Sequence, residues 1–320
     1  MSVQRPAASL ALGSQTLEAP AAALVELRVD LGLGGAHDRF RALVGSASPA
    51  ADTEVGADAT VELGYDESLT TVLTGSVSAV ERLERGVLVE GLSATSALST
   101  ARVGRSYLSQ SVDAVVRDLV SSGGGTAGEV TAAGDLAAYH VDERRSVWSH
   151  LRALSLLAGC ELSSDAEGQL VVRPPKGAPV ADHRLRRGAE LISWYVGPRA
   201  ASGEAPDVVP FGAASEQGAE KWHIVLREPD GGSPSTATLV PAAVRDRAGA
   251  KTYADALGKA VSRRASGGTI VAVGDASIRA GDLVQLQGVD GVDDLLRATA
   301  VTHLLDRDGF RTTLRVEAAG

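Results

Sequence analysis

Apolar residues occupy every second position from Val25 to Leu33 in the segment ALVELRVDLGL, residues 23–33. Strict alternation is typical of a β-strand that buries one face and exposes the other. The segments RFRALVG, ATVELGY, TVLTGSVSAVERL and GVLVEGL continue the pattern, and turn-rich pieces such as GSASPAAD separate them. Residues 1–95 are therefore predicted to form an all-β domain of five or six strands.

The spacing of apolar residues changes to a helical period after residue 95. The segment SVDAVVRDLVSSGGG repeats valine and leucine at helical spacing, with Ser111 as a possible cap and glycines at its end. SVWSHLRALSLLAG carries a second helical stripe, and a short hairpin follows that turns at DAEG. We predict a small α/β insertion over residues 96–182.

Strand patterns return from residue 183 to residue 320 and are interrupted by one helix at about 250–265. Thr252 and Asp255 have the spacing of a capping box for that helix. Residues 200–220 lack periodicity and are predicted to form a long exposed loop. The segments SAVERLERGVLVE (78–90) and TAVTHLLDRDGFRTTLRVE (299–317) share one plan, which indicates that the two β domains are copies of one barrel.

The charge and the cysteine content narrow the classes of function. A net charge of -9 disfavours nucleic acid as the primary ligand. The lone cysteine, Cys160, excludes an intrachain disulfide and favours a reducing compartment. No apolar run is long enough to cross a bilayer, and the first residues do not resemble an export signal.

His303 is the residue that most invites a catalytic interpretation. The alternation predicts that Leu296, Ala298, Ala300 and Leu304 face the core, with His303 on the opposite, mixed face. No nucleophile motif accompanies this histidine, so a structural position in a β-hairpin is the favoured interpretation over a catalytic or ligand role. The glycines of GGGTAG follow a helix instead of a strand, which is the wrong order for a dinucleotide site. The six histidines are scattered, and we expect no catalytic, cofactor or metal site.

Five segments in order along the chain resemble one family. They are LTGSVSAVERLERGVLVEGLSATSAL, RSYLSQSVDAVVRDLV, SVWSHLRALSLLAGCELSSDAEGQLVV, IRAGDLVQLQGV and RATAVTHLLDRDGFRTTLRVEA. The chain resembles the tail-hub proteins of contractile injection machines, namely the phage late control D protein and the N-terminal hub part of VgrG-type spike proteins. The most specific features are the turn Ala280–Gly281–Asp282 and the Val301-x-His303 strand.

The resemblance implies a homotrimer in which each chain contributes two tube-like β-barrels to a pseudo-sixfold ring. Such a ring joins a hexameric tail tube protein to a separate trimeric spike protein, among other baseplate proteins, without membrane insertion. It implies assembly in the cytoplasm into a phage tail, a secretion apparatus or an extracellular injection particle. Because the sequence ends soon after the last hairpin, we expect another chain to supply the spike.

On this resemblance we expect certain residues to form the barrel wall and the contacts with tube or spike. They are Leu73, Val77, Val80, Arg82, Arg85, Val301, His303, Phe310 and Leu314, together with the family-like turn at Gly281 and Asp282. Two alternatives remain. One is a β-rich hydrolase of cell-wall or surface polysaccharide, and the other is a carbohydrate- or receptor-binding tail module.

Overall fold

The alternating segments of the first 95 residues form strands that bury their apolar positions. The structure is a computed structural model that describes residues 4–19, 24–84, 86–177, 180–199, 207–208, 238–239, 243–244, 247–292 and 295–319. The first strands are β1 (Pro6–Leu12), β2 (Gln15–Ala19), β3 (Leu24–Gly32), β4 (Arg39–Val44), β5 (Asp58–Tyr65), β6 (Ser68–Leu83) and β7 (Gly86–Ser93). The first two strands are additional to the five or six that the pattern predicts.

The middle of the chain forms α-helices and short strands around a core of its own. Its elements are α1 (Ala97–Thr100), β8 (Arg105–Ser111), α2 (Val112–Ser122), β9 (Ala127–Val130), β10 (Asp135–Val141), α3 (Val147–Leu157), β11 (Glu161–Ser164) and β12 (Leu170–Arg173). Both predicted helices are present and end at glycine-containing turns. Ser111 precedes α2, but its side chain makes no capping hydrogen bond to the helix backbone. Leu119, Leu151 and Leu154 are fully buried in this second core.

The remainder of the chain returns to strands. Its elements are β13 (His183–Arg186), β14 (Leu191–Pro198), β15 (Asp207–Val208), β16 (Thr238–Leu239), α4 (Arg247–Arg263), β17 (Ser266–Val273), β18 (Leu283–Gln287), β19 (Leu296–Asp306) and β20 (Gly309–Ala318). Thr252 lies inside α4, five residues after its first residue, so the predicted capping box is wrong. The predicted 200–220 loop lies outside the described residues, apart from β15.

Two sets of four strands repeat the same antiparallel order. The first four-strand set runs β3-β4-β7-β6 across the sheet, and the second four-strand set runs β14-β17-β20-β19. In both sets the third and fourth strands along the chain form the hairpin that the sequence echo predicts. The strand β19 then pairs with β3 and joins the two sets into one row of eight strands.

This joint makes one sheet and one core out of both β regions. Thirteen of the described strands form a single large sheet, and no closed barrel is found among the described strands. The mainly β fold is thus confirmed. Side chains from both four-strand sets share one apolar core. Tyr65 of β5 packs against it, with its ring 5.8 Å from that of Phe310.

A β-bulge reverses the predicted faces of β19. Its register to β20 shifts between Ala298 and Ala300, so the alternation of buried and exposed positions changes by one residue there. After the bulge Val301, His303 and Leu305 face the core, whereas Leu304 faces outward. The sequence-based placement of His303 on the mixed face is therefore wrong.

Candidate assembly surface

Most of the residues expected at the wall or at partner contacts have buried side chains. This holds for Leu73, Val77, Val301, His303, Phe310 and Leu314. They stabilise the sheet from inside, and their side chains cannot touch a partner in this structure. Val80 is half-buried, Arg82 is exposed and pairs with Asp52, and Arg85 lies outside the described residues.

His303 is held as a neutral core residue by two hydrogen bonds. Its Nε2 lies 3.1 Å from the carbonyl oxygen of Ile278, to which it donates, and its Nδ1 lies 3.0 Å from Oγ1 of Thr312. Burial lowers the pKa of His303 to about 4, because a charged imidazole is poorly solvated there. Both ring nitrogens have partners, so the residue is a structural position of the second hairpin.

The turn Gly281–Asp282 fastens the segment after the insertion to the sheet. Gly281 has φ +96, a conformation that favours glycine. The carboxylate of Asp282 contacts Nζ of Lys176 at 2.7 Å and Nε2 of His183 at 3.2 Å, and it accepts from the Arg279 amide. Burial opposes its ionisation, but the hydrogen bonds from His183 and Lys176 prevail and lower the pKa of Asp282 to about 2.

We expect Asp282→Asn to lower the free energy of unfolding by about 1–3 kcal/mol at pH 7, because Lys176 and His183 lose their buried anionic partner. Urea unfolding measures this loss. Limited proteolysis between β12 and β13 should also become faster. Asp290→Asn, a change at an exposed carboxylate on the next turn, is the control. Equal stability of the Asp282→Asn variant and the wild type would contradict this role of the turn.

A second buried carboxylate, Asp38, joins the insertion to the sheet. It accepts from the hydroxyl of Ser164 at 2.6 Å and from the Gly32 amide at 2.8 Å. Arg279 crosses the same seam and donates to the carbonyl oxygens of Val72 and Ser164. Burial raises the pKa of Asp38 to about 6, against the opposing effect of the Ser164 hydrogen bond. Sequence reasoning missed this residue, because its partners lie far away along the chain.

Polar contacts reinforce the joint between the two four-strand sets on the outer face of the sheet. Thr302 of β19 donates to Asp30 of β3 at 2.6 Å, and Arg28 and Arg39 pair with the same carboxylate. Burial acts to raise the pKa of Asp30, but the hydrogen bonds from Arg28 and Thr302 outweigh it and lower that pKa. The joint therefore combines backbone pairing with a charge-assisted contact between side chains.

The row of eight strands ends in two edges that expose apolar side chains. On β14, which pairs with β17 alone among the described strands, Ile192 is 52% exposed and Tyr195 78%. At the other end β6 pairs with β5 only as far as Ser76, and Leu83 near its end is 47% exposed. Exposed strand edges with apolar side chains are templates for pairing with another chain.

Other kinds of site have no support in the described part of the chain. Its residues contain no group of three or more His, Cys, Asp or Glu side chains placed to hold a metal ion. Within the same residues no helix has the length and apolar character needed to span a membrane. Cys160 is half-buried against the core of the insertion, and burial raises the pKa of its thiol.

The whole chain superposes on solved tail proteins. A tail protein from Neisseria meningitidis matches with a TM-score of 0.75 at 15% identity, over 98% of this chain and 96% of that one. The 43 kDa tail protein of prophage MuSo2 from Shewanella oneidensis matches with a TM-score of 0.71 at 13% identity, over 100% and 99% of the two chains. The chain has a contractile-tail hub fold.

A component of a secretion system has the same fold. An E. coli component of the type VI secretion system, which is structurally similar to the T4 bacteriophage tail proteins gp27 and gp5, matches with a TM-score of 0.63 at 11% identity. That match covers 97% of this chain and 76% of the other. No family model matches the sequence, and no curated protein sequence matches it. The fold is therefore shared with these proteins at sequence identities of 15% or less.

Proposed function

We propose that the chain is a structural baseplate hub of a contractile injection machine and catalyses no reaction. Three copies would form a ring that adapts a hexameric tail tube to a separate trimeric spike, assembled in the cytoplasm as part of a tail-like particle. The full-length similarity to the Neisseria tail protein carries this proposal, since it spans 98% of this chain. A match of that extent includes both β regions and the insertion, and is not limited to a few shared strands.

The duplicated four-strand sets support the same proposal. Two similar units in one chain, repeated three times, present six similar surfaces around an axis. One side of such a ring matches a sixfold tube, and the three identical chains match a threefold spike. Within one chain, β19 and β3 already show how two of these units pair.

The mass of the purified chain in solution tests the proposal. Three copies of the 32.7 kDa chain have a mass of about 98 kDa, and light scattering should measure that value for the chain alone or as the hub's share of the mass of a complex with the spike protein. A chain that stays monomeric in both conditions would contradict the hub assignment. A monomer that hydrolyses or binds polysaccharide would instead favour a hydrolase or a binding module.

A further inference from the structure

The two four-strand sets correspond residue by residue, because each carries bulges at matching places. The register of the first set shifts between Leu24 and Glu26, and that of the second shifts between Leu191 and Ser193. Their hairpins shift between Val77 and Ala79 and between Ala298 and Ala300. Aligning the bulges makes β14 the counterpart of β3, and the end of β6 the counterpart of β19.

By this correspondence, the pairing of β19 with β3 predicts an equivalent pairing of the end of β6 with β14. That second pairing is not formed within one chain. In the existing joint Leu304 lies opposite Arg28, and His303 lies opposite Val29. The counterparts of Leu304 and Arg28 are Leu83 and Tyr195. Those of His303 and Val29 are Arg82 and Val196. In this structure the two strands lie at opposite ends of the row and do not pair with each other, so a second copy can supply the missing neighbour of each.

We propose that β6 of one copy pairs antiparallel with β14 of the next copy, with Leu83 opposite Tyr195 and Arg82 opposite Val196. The inference rests on the proposed homotrimer and specifies the contact between its chains. The contact is head-to-tail, since the two edges differ, and three such contacts close a ring.

The exposed apolar residues fit this register. Leu83 and Tyr195 are among the most exposed large apolar side chains of the two end strands, at 47% and 78%. Directly opposite residues on one face of an antiparallel pair have Cβ atoms about 4.5–5.5 Å apart, so the two side chains cover each other. The register thus removes apolar surface from water at both ends of the row.

Charge complementarity supports the same register. A cavity of about 310 Å³ runs across β17, β20 and β19 and reaches Arg199, the residue that follows β14. Its charged lining residues are Arg199, Arg264 and Arg315, with Glu317 as one acidic residue among them. Among the described residues, none of these three guanidinium groups has an acidic partner. The register places Glu81 of the next copy diagonally across from Arg199, within reach of long side chains. Because three arginines line the cavity against one glutamate, an acidic side chain from a second copy fits the excess positive charge there.

Cysteine cross-linking tests the register in the full-length chain, in a Cys160→Ala background. Disulfides need Cβ atoms about 3.5–4.5 Å apart, so residues directly opposite can form them and diagonal ones cannot. Two double variants are made, Leu83→Cys with Tyr195→Cys and Arg82→Cys with Val196→Cys. Neighbouring pairs alternate between the wide and the close spacing of an antiparallel ladder, so one of these two has the close spacing.

The expected product under mild oxidation is a covalent trimer from at least one double variant. Its yield should be roughly tenfold above the matched control, Leu83→Cys with Ser193→Cys, which represents a two-residue slip on the same face. Mixing the Leu83→Cys and Tyr195→Cys single variants should give covalent dimers, and neither single variant alone should cross-link.

Light scattering on the same samples measures the oligomeric state, and this distinguishes a wrong register from the absence of a trimer. A trimer without these cross-links, or one that cross-links better in the slipped control, overturns the register and leaves the hub assignment intact. Cross-linking of the Leu83→Cys variant with itself shows a twofold contact and overturns the head-to-tail arrangement. A chain that remains monomeric overturns both proposals.

Discussion

As the pH falls from 7 to 4, Asp38 is expected to raise the free energy of unfolding of the wild type by about 2 kcal/mol. The variant Asp38→Asn should lack this increase. Burial raises the pKa of Asp38 from 3.8 to about 6 in the folded protein. The folded state therefore takes up a proton before the unfolded state does as the pH falls. Stability from this group rises through pH 6 toward pH 4, and asparagine has no proton to take up.

Urea unfolding of both proteins from pH 4 to pH 7 measures this effect as the difference between the two curves. Asp308→Asn, a change at a carboxylate that is 62% exposed, is the matched control and should shift stability by no more than about 0.5 kcal/mol at any pH. A constant difference between Asp38→Asn and wild type across the range would show that Asp38 ionises as freely as in the unfolded chain.

The effect of His303 on the free energy of unfolding is expected to have the opposite sign from that of Asp38, and the variant His303→Leu should remove it. Burial lowers the pKa of His303 from 6.5 to about 4, so between those values the unfolded state binds a proton that the folded state does not. Wild-type stability from this group falls by about 3 kcal/mol from pH 7 to pH 4, and leucine removes that loss. At pH 7 leucine costs about 1–3 kcal/mol, because the Ile278 carbonyl loses its donor.

His303→Gln separates the two contributions. Its amide can still donate to the Ile278 carbonyl, so we expect a smaller loss at pH 7 and the same gain in acid. If His303→Leu lost stability in parallel with the wild type from pH 7 to pH 4, His303 would titrate normally. Because the effects of Asp38 and His303 oppose each other, the wild type itself should show little net change from these two groups.

The strands and helices could be predicted because one face of each is buried. Alternation in the segment around Val29 and the helical stripe through Leu119 both report which side of an element meets a core. The echo between the hairpins predicted two copies of one barrel; the structure repeats the strand order, but no closed barrel is found among the described strands. These signals are local, and each depends on residues within a few positions of one another.

Properties that depend on distant pairing could not be predicted. The bulge after Ala298 turns His303 inward, but the alternation of apolar and polar residues in the sequence does not indicate its position. The residues next to Asp38 in the sequence do not indicate that it is buried. Its surroundings include Ser164 and Arg279, which lie far away along the chain. Two separate barrels were expected from the echo, and each would require its own first and last strands to pair. In the structure β19 of the second set pairs with β3 of the first set instead.

The pairing of β19 with β3 also sets the order in which the protein can be made. Thr302 and Asp30, which meet across this joint, are 272 residues apart. At translation rates of 5–20 residues per second, β3 waits roughly 15–50 s on the ribosome before its partner strand emerges. During that time the strand is open to the C-terminal strands of a neighbouring nascent chain. Exchange of β19 between copies is therefore the misassembly that this pairing makes possible.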